Sequence, residues 1–180
     1  LSGADSRPGQ EIRRVTGRPQ NELLQNLSAH DFELLAPHLQ WVEFGANHIL
    51  HHAGDSMTVV HFPCGHALVS FAVPVEDDRE VESLLVGRDG AVGVPGGRGP
   101  SPAYSRVVMK VGGTLVRLSL RALEQAQQRS ASLQETFARY AACQFAQLLQ
   151  TAACNAAHSI EQRAASREEL AAVEGVGGII

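Results

Sequence analysis

Five of the eight histidines in this chain fall between positions 48 and 66, and imidazole is the side chain here with the widest chemical use. They are His48, His51, His52, His61 and His66. Neutral imidazole binds transition metals, but a metal site needs side chains on one face of a strand. The adjacent His51 and His52 point to opposite faces, and an unbroken strand places His48 with His52. Because scattered surface histidines are commoner than ligands, we predict no metal.

The three cysteines, Cys64, Cys143 and Cys154, offer thiols without a catalytic arrangement. An odd number of cysteines at wide spacing does not make a disulfide framework, so we expect a reducing, cytoplasmic environment. The sequence shows no histidine–acid pair of the kind that activates a cysteine nucleophile. Walker and dinucleotide-binding fingerprints do not occur either. We therefore predict that the chain is not an enzyme.

A glycine-rich connection is the third candidate for chemistry. Residues 87–103 contain nine glycines and prolines among seventeen positions. Such a backbone can approach an anion closely and direct N–H groups at it. The nearby Arg88, Arg98 and Arg106 carry guanidinium groups that suit phosphate or carboxylate. A surface loop with solvated arginines is the alternative that residue content leaves open.

The composition indicates a globular protein that does not bind nucleic acid by itself. Apolar residues make up 44% and charged residues 19% of the chain, and the formal net charge is -4. Lys110 is the only lysine, and no basic run is available to neutralise phosphates. No apolar run approaches the roughly 20 residues of a membrane helix, so we expect no membrane contact.

Apolar periodicity and turn residues divide the chain into four parts. We predict a flexible N-terminus over 1–20, a β domain over 21–129, a long helix over 130–174 and a tail over 175–180. Ser28 and Asp31 resemble a capping box that begins a short helix ending before Pro37. About seven short apolar runs follow between Leu39 and Leu118. Their spacing predicts an antiparallel sandwich or barrel.

The long helix exceeds what the β domain needs. Ser132 and Glu135 resemble a second capping box, and no proline or glycine follows before Gly175. About forty helical residues would extend about 60 Å. Small and apolar side chains on one seam favour pairing with a second subunit over packing on the chain's own domain. The predicted seam is Phe137, Tyr140, Ala141, Gln144, Leu148, Thr151, Asn155 and His158.

Four stretches resemble, in order, segments of one protein family. They are residues 21–28, His61-Phe62-Pro63, residues 86–93 and residues 154–163. The third resembles a run of glycine, arginine, glutamate, glycine, a hydrophobic pair and glycine that is common in the Crp/Fnr transcription regulators. The resemblance covers about residues 21–163. It implies an α+β fold, in which an antiparallel β-roll (jelly roll) of cyclic-nucleotide-binding type lies between a short N-terminal helix and a long C-terminal dimerisation helix.

Two departures from the family pattern bear on the ligand. Members that bind cyclic AMP carry a glutamate for the ribose after the glycine that matches Gly93, and an arginine–serine pair for the phosphate. Here Val94 follows Gly93, and Ser105-Arg106 has the opposite order. We therefore expect no cyclic AMP in the usual mode and no certain cofactor, with a small anionic effector or a nucleotide as the remaining ligand class. The expected ligand-binding residues are Arg88, Gly93, Val94, Arg98, Ser105 and Arg106.

The winged helix-turn-helix that follows the dimerisation helix in this family has no counterpart after Arg163. The resemblance implies the effector-sensing and dimerisation domain of a regulator. We expect a truncated protein that forms a homodimer through the long helix and reaches DNA only through a domain absent here. Two alternatives stay open: a metal-binding enzyme of cupin type, and a ligand-free interaction protein.

Overall fold

The computed structural model describes residues 13–75, 80–94 and 102–157. The elements are β1 (Arg13–Arg14), α1 (Glu22–Gln25), α2 (Ala29–Leu35), a 3₁₀ turn (Ala36–His38), β2 (Gln40–Phe44), β3 (Ile49–His51), β4 (Val59–Pro63), β5 (Leu68–Pro74), β6 (Glu80–Val86), β7 (Arg106–Val111), β8 (Gly113–Ser119), α3 (Leu120–Arg129) and α4 (Ala131–Ala157). The short predicted helix before Pro37 and the long predicted helix are both present, the latter as far as the described residues extend.

The strands form two antiparallel sheets that enclose a core between them, as a β-roll. The first sheet has the order β1-β2-β8-β4, and the second has the order β3-β7-β5-β6. In the first sheet the register places Arg117 of β8 opposite Gln40 of β2 and also opposite His61 of β4. The seven strands predicted between Leu39 and Leu118 are all formed, and the predicted fold class is confirmed.

Successive side chains of β8 point to opposite faces of its sheet and contribute to two separate apolar cores. Leu115 points between the sheets and packs with Val42 and Met109. Val116 and Leu118 point the other way, into a core shared with all four helices. Because successive side chains of a strand point to opposite faces, one central strand holds the two sheets together and also anchors the helices.

The N-terminal prediction is wrong over residues 13–20, while residues 1–12 lie outside the described part. β1 pairs with β2, and Val15 is buried in the helix-side core. The Arg18 side chain donates to three main-chain carbonyl groups at and just after the end of α1, over 2.7–3.0 Å. A helix end leaves such carbonyls without intrahelical partners, so Arg18 caps it. The domain therefore includes residues 13–20 and does not begin at Asn21.

The two expected capping boxes have different outcomes. Ser28 caps α2 as predicted, since its Oγ accepts from the N–H of Asp31. The cap of α4 is Ser130 and not Ser132, because Ser130 Oγ accepts from the N–H of Leu133. Both hydroxyls also donate to the buried Asp31 carboxylate, Ser130 to Oδ1 and Ser132 to Oδ2. Asp31 thus links α2 to the junction of α3 and α4, a contact that local sequence patterns do not reveal.

Asp31→Asn is expected to destabilise the protein at neutral pH. The substitution removes the charged acceptor of the buried Ser130 hydroxyl and of the exposed Ser132 hydroxyl, which corresponds to about 1–3 kcal/mol in the free energy of unfolding. Glu33→Gln, on the exposed side of the same helix, is the matched control and should change little. Urea denaturation of both variants at pH 7 measures the difference.

The effect of Asp31→Asn should also depend on pH. Burial opposes ionisation of Asp31, but hydrogen bonds from Ser130, Ser132 and Ser28 outweigh it and lower the pKa of its carboxyl. A carboxyl whose pKa is lower in the folded state stabilises the protein above its unfolded pKa of about 3.9, and this stabilisation is lost as the pH falls through the folded pKa. The difference between wild type and variant should therefore shrink below about pH 4. A difference that stays constant from pH 7 to pH 3 contradicts this account.

Candidate functional site

Residues 87–94, here named the clasped loop, lie between the roll, α1 and α4. The fully buried Asn21 donates from Nδ2 to the carbonyl oxygen at the end of β4 (2.9 Å) and to that of Gly90 (2.8 Å). The main-chain N–H of Glu22 donates to the oxygen of Arg88 at 2.7 Å. Because unpaired buried main-chain groups are costly, these bonds fix the path of the loop at the start of α1.

The second half of the clasped loop lies along β4. The N–H of His61 donates to the oxygen of Val92 (2.8 Å), and the N–H of Val92 donates to the oxygen of His61 (2.7 Å). Gly93 has a φ of 85°, and a Cβ there would lie 2.5 Å from the carbonyl oxygen of Val59. Glycine is therefore required at this position for backbone conformation and for space. Val94 packs against the helix-side core.

Tyr140 of α4 holds the clasped loop from the opposite side. Its hydroxyl accepts from the N–H of Ala91 at 2.7 Å and donates to the oxygen of the same residue at 2.9 Å. Burial raises the pKa of this phenol to about 12, so the hydroxyl keeps the proton that it donates. Gln144 adds a longer bond to the Ala91 oxygen, at 3.4 Å. A Cβ on Gly90 would collide with the Tyr140 hydroxyl, which explains the glycine.

A small cavity lies between α4 and the clasped loop. Its volume is about 160 Å³, and its lining includes Leu85, Asp89, Tyr140, Cys143 and Gln147. Pockets that enclose drug-sized ligands usually measure about 300–1,000 Å³. This cavity is therefore too small to enclose a nucleotide in the present conformation.

Two of the three arginines predicted to meet an anion, Arg88 and Arg106, have acidic partners. The Arg88 guanidinium lies 3.3 Å from the Glu22 carboxylate at the surface. Arg106 donates from Nε to Glu80 Oε1 at 2.7 Å and from Nη2 to the second oxygen. This pairing lowers the pKa of Glu80 and raises that of Arg106. Both guanidinium groups are thus engaged, on different elements.

The other predicted ligand residues do not complete an anion site. Ser105 is buried immediately before β7. Gly93 and Val94 belong to the clasped loop, and Arg98 lies outside the described residues. The structure therefore does not gather the predicted set around one point. The pairing of Arg106 with Glu80 depends on the register of three strands, which the sequence does not give.

Three of the clustered histidines come together. His48 stacks on Phe44 with ring centroids 4.3 Å apart, and the rings of His51 and His61 lie 6.0 Å apart. The expected pairing of His48 with His52 assumed an unbroken strand, but β3 ends at His51 and its register shifts. Burial lowers the pKa of His61 to about 3, so its ring is neutral. Within residues 13–75, 80–94 and 102–157, no three metal-ligating side chains could hold a metal ion.

The first half of the predicted dimer seam packs on the chain's own domain. Phe137 is 2% exposed and meets Phe62 of β4 edge to face, with ring centroids 6.3 Å apart. Tyr140 and Gln144 bind the clasped loop. The alternative of a helix packed on its own domain is therefore correct for this half of the helix, and Phe137 is not available to a partner.

The rest of the predicted seam has mixed exposure. Ala141 and Thr151 are half-buried, whereas Leu148 and Asn155 are exposed. His158 lies outside the described residues. These residues remain candidates for a dimer interface, but their exposure does not mark any of them as the centre of that interface.

A different face of α4 carries exposed large apolar side chains. Phe145 is 62% and Leu149 is 56% exposed. With four exposed alanines they form what we name the α4 stripe, with members three and four residues apart: Ala138, Ala142, Phe145, Leu149, Ala152 and Ala156. The stripe lies about a quarter turn from the predicted seam. Its regular spacing was the sequence signal that could have identified it.

Solved structures with this fold support the class that the resemblance implies. The N-terminal domain of a transcriptional regulator from Streptomyces coelicolor A3(2) is 18% identical, with a TM-score of 0.55, and the match covers 78% of this chain and 95% of that one. The c-di-GMP responsive global regulator CLP of Xanthomonas campestris is 17% identical, with a TM-score of 0.66, over 82% and 74% of the two chains. A cyclic nucleotide-binding domain from Methylobacillus flagellatus KT is 16% identical, with a TM-score of 0.54, over 89% and 85%.

These neighbours define the class of fold: the cyclic-nucleotide-binding β-roll found in Crp/Fnr-type transcription regulators. At this level of identity they show the fold alone. No protein-family model and no curated protein matches the chain. Among the described residues, no helix is long and apolar enough to cross a membrane.

Tyr140→Phe is expected to loosen the clasped loop without disturbing the core. The variant leaves the N–H and the oxygen of Ala91 without their shared partner, which should cost about 1–3 kcal/mol in the free energy of unfolding. Amide hydrogen exchange at residues 90–92 should become faster. The matched control is Tyr104→Phe, because Tyr104 is 83% exposed. Equal exchange at residues 90–92 in both variants would show that the clasp does not hold the loop.

Proposed function

We propose that the chain is the effector-sensing and dimerisation domain of a Crp/Fnr-type transcription regulator. The observation that carries this proposal is the double hydrogen bond of Tyr140 to Ala91, which joins the loop after β6 to the long helix. The same loop is paired with β4 of the roll through Val92. A ligand that moves the loop relative to β4 would therefore also move α4. Such a link lets binding shift the population between two arrangements of the helix.

The partner that we propose for α4 is a second copy of the same helix. The 27 residues of α4 extend about 40 Å, of which the first half rests on the roll. Apolar residues spaced by three and four match the knobs of a coiled coil, and the alanines of the α4 stripe allow close approach. A stripe with Phe145 and Leu149 at its centre is more apolar than a solvated helix face requires.

The effector that we propose is a small anion or a nucleotide other than cyclic AMP in its usual mode. Val94 takes the position of the ribose-binding glutamate and faces the helix-side core. Arg106, near the position of the phosphate-binding arginine, is engaged by Glu80. The Xanthomonas neighbour is described as responsive to c-di-GMP, so this fold is not tied to cyclic AMP.

We propose that a further domain, and not this one, binds DNA. The chain has a net charge of -4 and only one lysine. Its described helices, α1 to α4, carry no basic stripe on an exposed face. Phosphate contacts from Lys and Arg supply most of the affinity of a protein for DNA. The sensing domain would thus control DNA binding without contacting DNA.

Native mass spectrometry of freshly purified protein tests the proposal. We expect a dimer of the wild-type chain, with the added mass of a small effector. Phe145→Glu should raise the dimer dissociation constant about tenfold or more, because it places like charges across a symmetric apolar contact. Sedimentation equilibrium measures that constant.

Gln150→Glu is the matched control, since it adds the same charge at an exposed position of α4 about 120° around the helix from the centre of the stripe. A wild-type monomer at micromolar concentration would contradict the proposed dimer. A ligand-free dimer would favour an interaction protein. A monomer that carries a metal ion would favour the cupin-type enzyme.

A further inference from the structure

A polar cluster lies on the inner face of the first sheet, where β4, β8 and β2 run side by side. His61, Arg117 and Gln40 are direct neighbours in the register of these strands. Side chains directly opposite each other on neighbouring strands have Cβ atoms about 4.5–5.5 Å apart. The alternation along β8 puts Arg117 on the same face as Leu115, which packs between the sheets. The cluster therefore faces into the roll, where the second sheet contributes His51.

Two imidazole nitrogens in this cluster are buried and have no hydrogen-bond partner within the described residues. They are Nδ1 of His61, a residue that is 7% exposed, and Nε2 of His51. The two rings lie 6.0 Å apart, one on each sheet. Leaving a buried polar atom unpaired costs free energy, so a pair of them in one place indicates a missing hydrogen-bonding group.

The charge of the cluster determines what kind of group fits. Arg117 donates from Nε to Gln40 Oε1 at 3.0 Å, and in the described parts of the chain its terminal amino groups make no further bond. The ionisable groups that act on His61 are His51, Arg117 and His48, while His51 is also acted on by the carboxylate of Asp55. A cation would be repelled by Arg117. An oxygen anion would accept hydrogen bonds from the guanidinium and from the N–H of a neutral imidazole.

We propose that Arg117, His61 and His51 form an internal binding site for a small oxyanion, namely a phosphate or carboxylate group. The inference rests on the proposed sensing function, for which it names the ligand class and moves the anion site from the loop arginines to the inner face of the roll. The binding residue is an arginine in the middle of β8, held in place by Gln40, whereas Arg88 and Arg106 are engaged by acidic partners.

The position of His61 links this site to the helix. Its side chain belongs to the site, and its main chain exchanges two hydrogen bonds with Val92 of the clasped loop. Ala91, the residue before Val92, is held by Tyr140 of α4. An anion that draws His61 and Arg117 together would displace β4. β4 is connected to α4 through two sets of hydrogen bonds, those between His61 and Val92 and those between Ala91 and Tyr140.

Titration calorimetry of the full chain with inorganic phosphate, and separately with acetate, tests the site at constant ionic strength. Arg117→Gln should weaken anion binding about tenfold or more, as expected for the loss of charge-assisted hydrogen bonds. His51→Ala, at a half-buried position, should weaken anion binding as well. This second variant keeps the test valid if Arg117→Gln does not fold. Arg106→Gln and the exposed Arg121→Gln are the matched controls and should bind like wild type.

Each outcome decides the proposal. Binding of phosphate alone or acetate alone that is lost in Arg117→Gln supports the site and identifies the oxyanion. Binding that survives both Arg117→Gln and His51→Ala, or that falls equally in the two controls, overturns it. Absence of binding by either anion to wild type also overturns it. Sedimentation of the same samples separates this failure from failure of the proposed function, since a dimer that binds neither anion leaves the dimerisation claim intact.

Discussion

The buried main-chain groups of the clasped loop need hydrogen-bond partners, and they find them in three different elements. Asn21 and Glu22 at the start of α1 serve its first half, β4 pairs with Val92, and Tyr140 of α4 satisfies Ala91. The two central glycines follow from this constraint, because a side chain at either position would collide with one of these partners. The roll and the helices are therefore joined through main-chain hydrogen bonds of the loop, while its Ala91 and Val92 side chains are buried in the two cores.

This arrangement gives α4 two faces with separate tasks. One face, with Phe137 and Tyr140, is fixed to the roll and to the clasped loop. The other carries Phe145 and Leu149 in the open. A helix held in this way can transmit a displacement of the loop to whatever covers its exposed face. In the intact regulator that we propose, the exposed face would meet a second copy, and the relative angle of the two helices would carry the signal.

Local patterns were enough to predict the strands and the Ser28 cap, because alternation and capping are short-range properties. Contacts between residues that are distant in sequence could not be predicted from local patterns. Arg106 is engaged by Glu80 only because three strands adopt one register. His51 contacts His61 of the other sheet from a strand whose register shifts between Ile49 and His51. Phe137 was predicted to meet a partner and packs on the roll instead, because α4 has apolar residues at helical spacing on two faces and local patterns do not show which face contacts the roll.

The proposed sensing function requires the clasped loop and the exposed face of α4 to be coupled. Tyr140 lies outside the α4 stripe and its hydroxyl binds Ala91, so we expect a change at this hydroxyl to alter dimerisation through the orientation of the helix. Sedimentation equilibrium of wild type and Tyr140→Phe measures this coupling as a ratio of dimer dissociation constants. We predict a dimer dissociation constant that is several-fold higher in Tyr140→Phe than in wild type. Equal dissociation constants, in a variant whose loop exchanges faster, would contradict it.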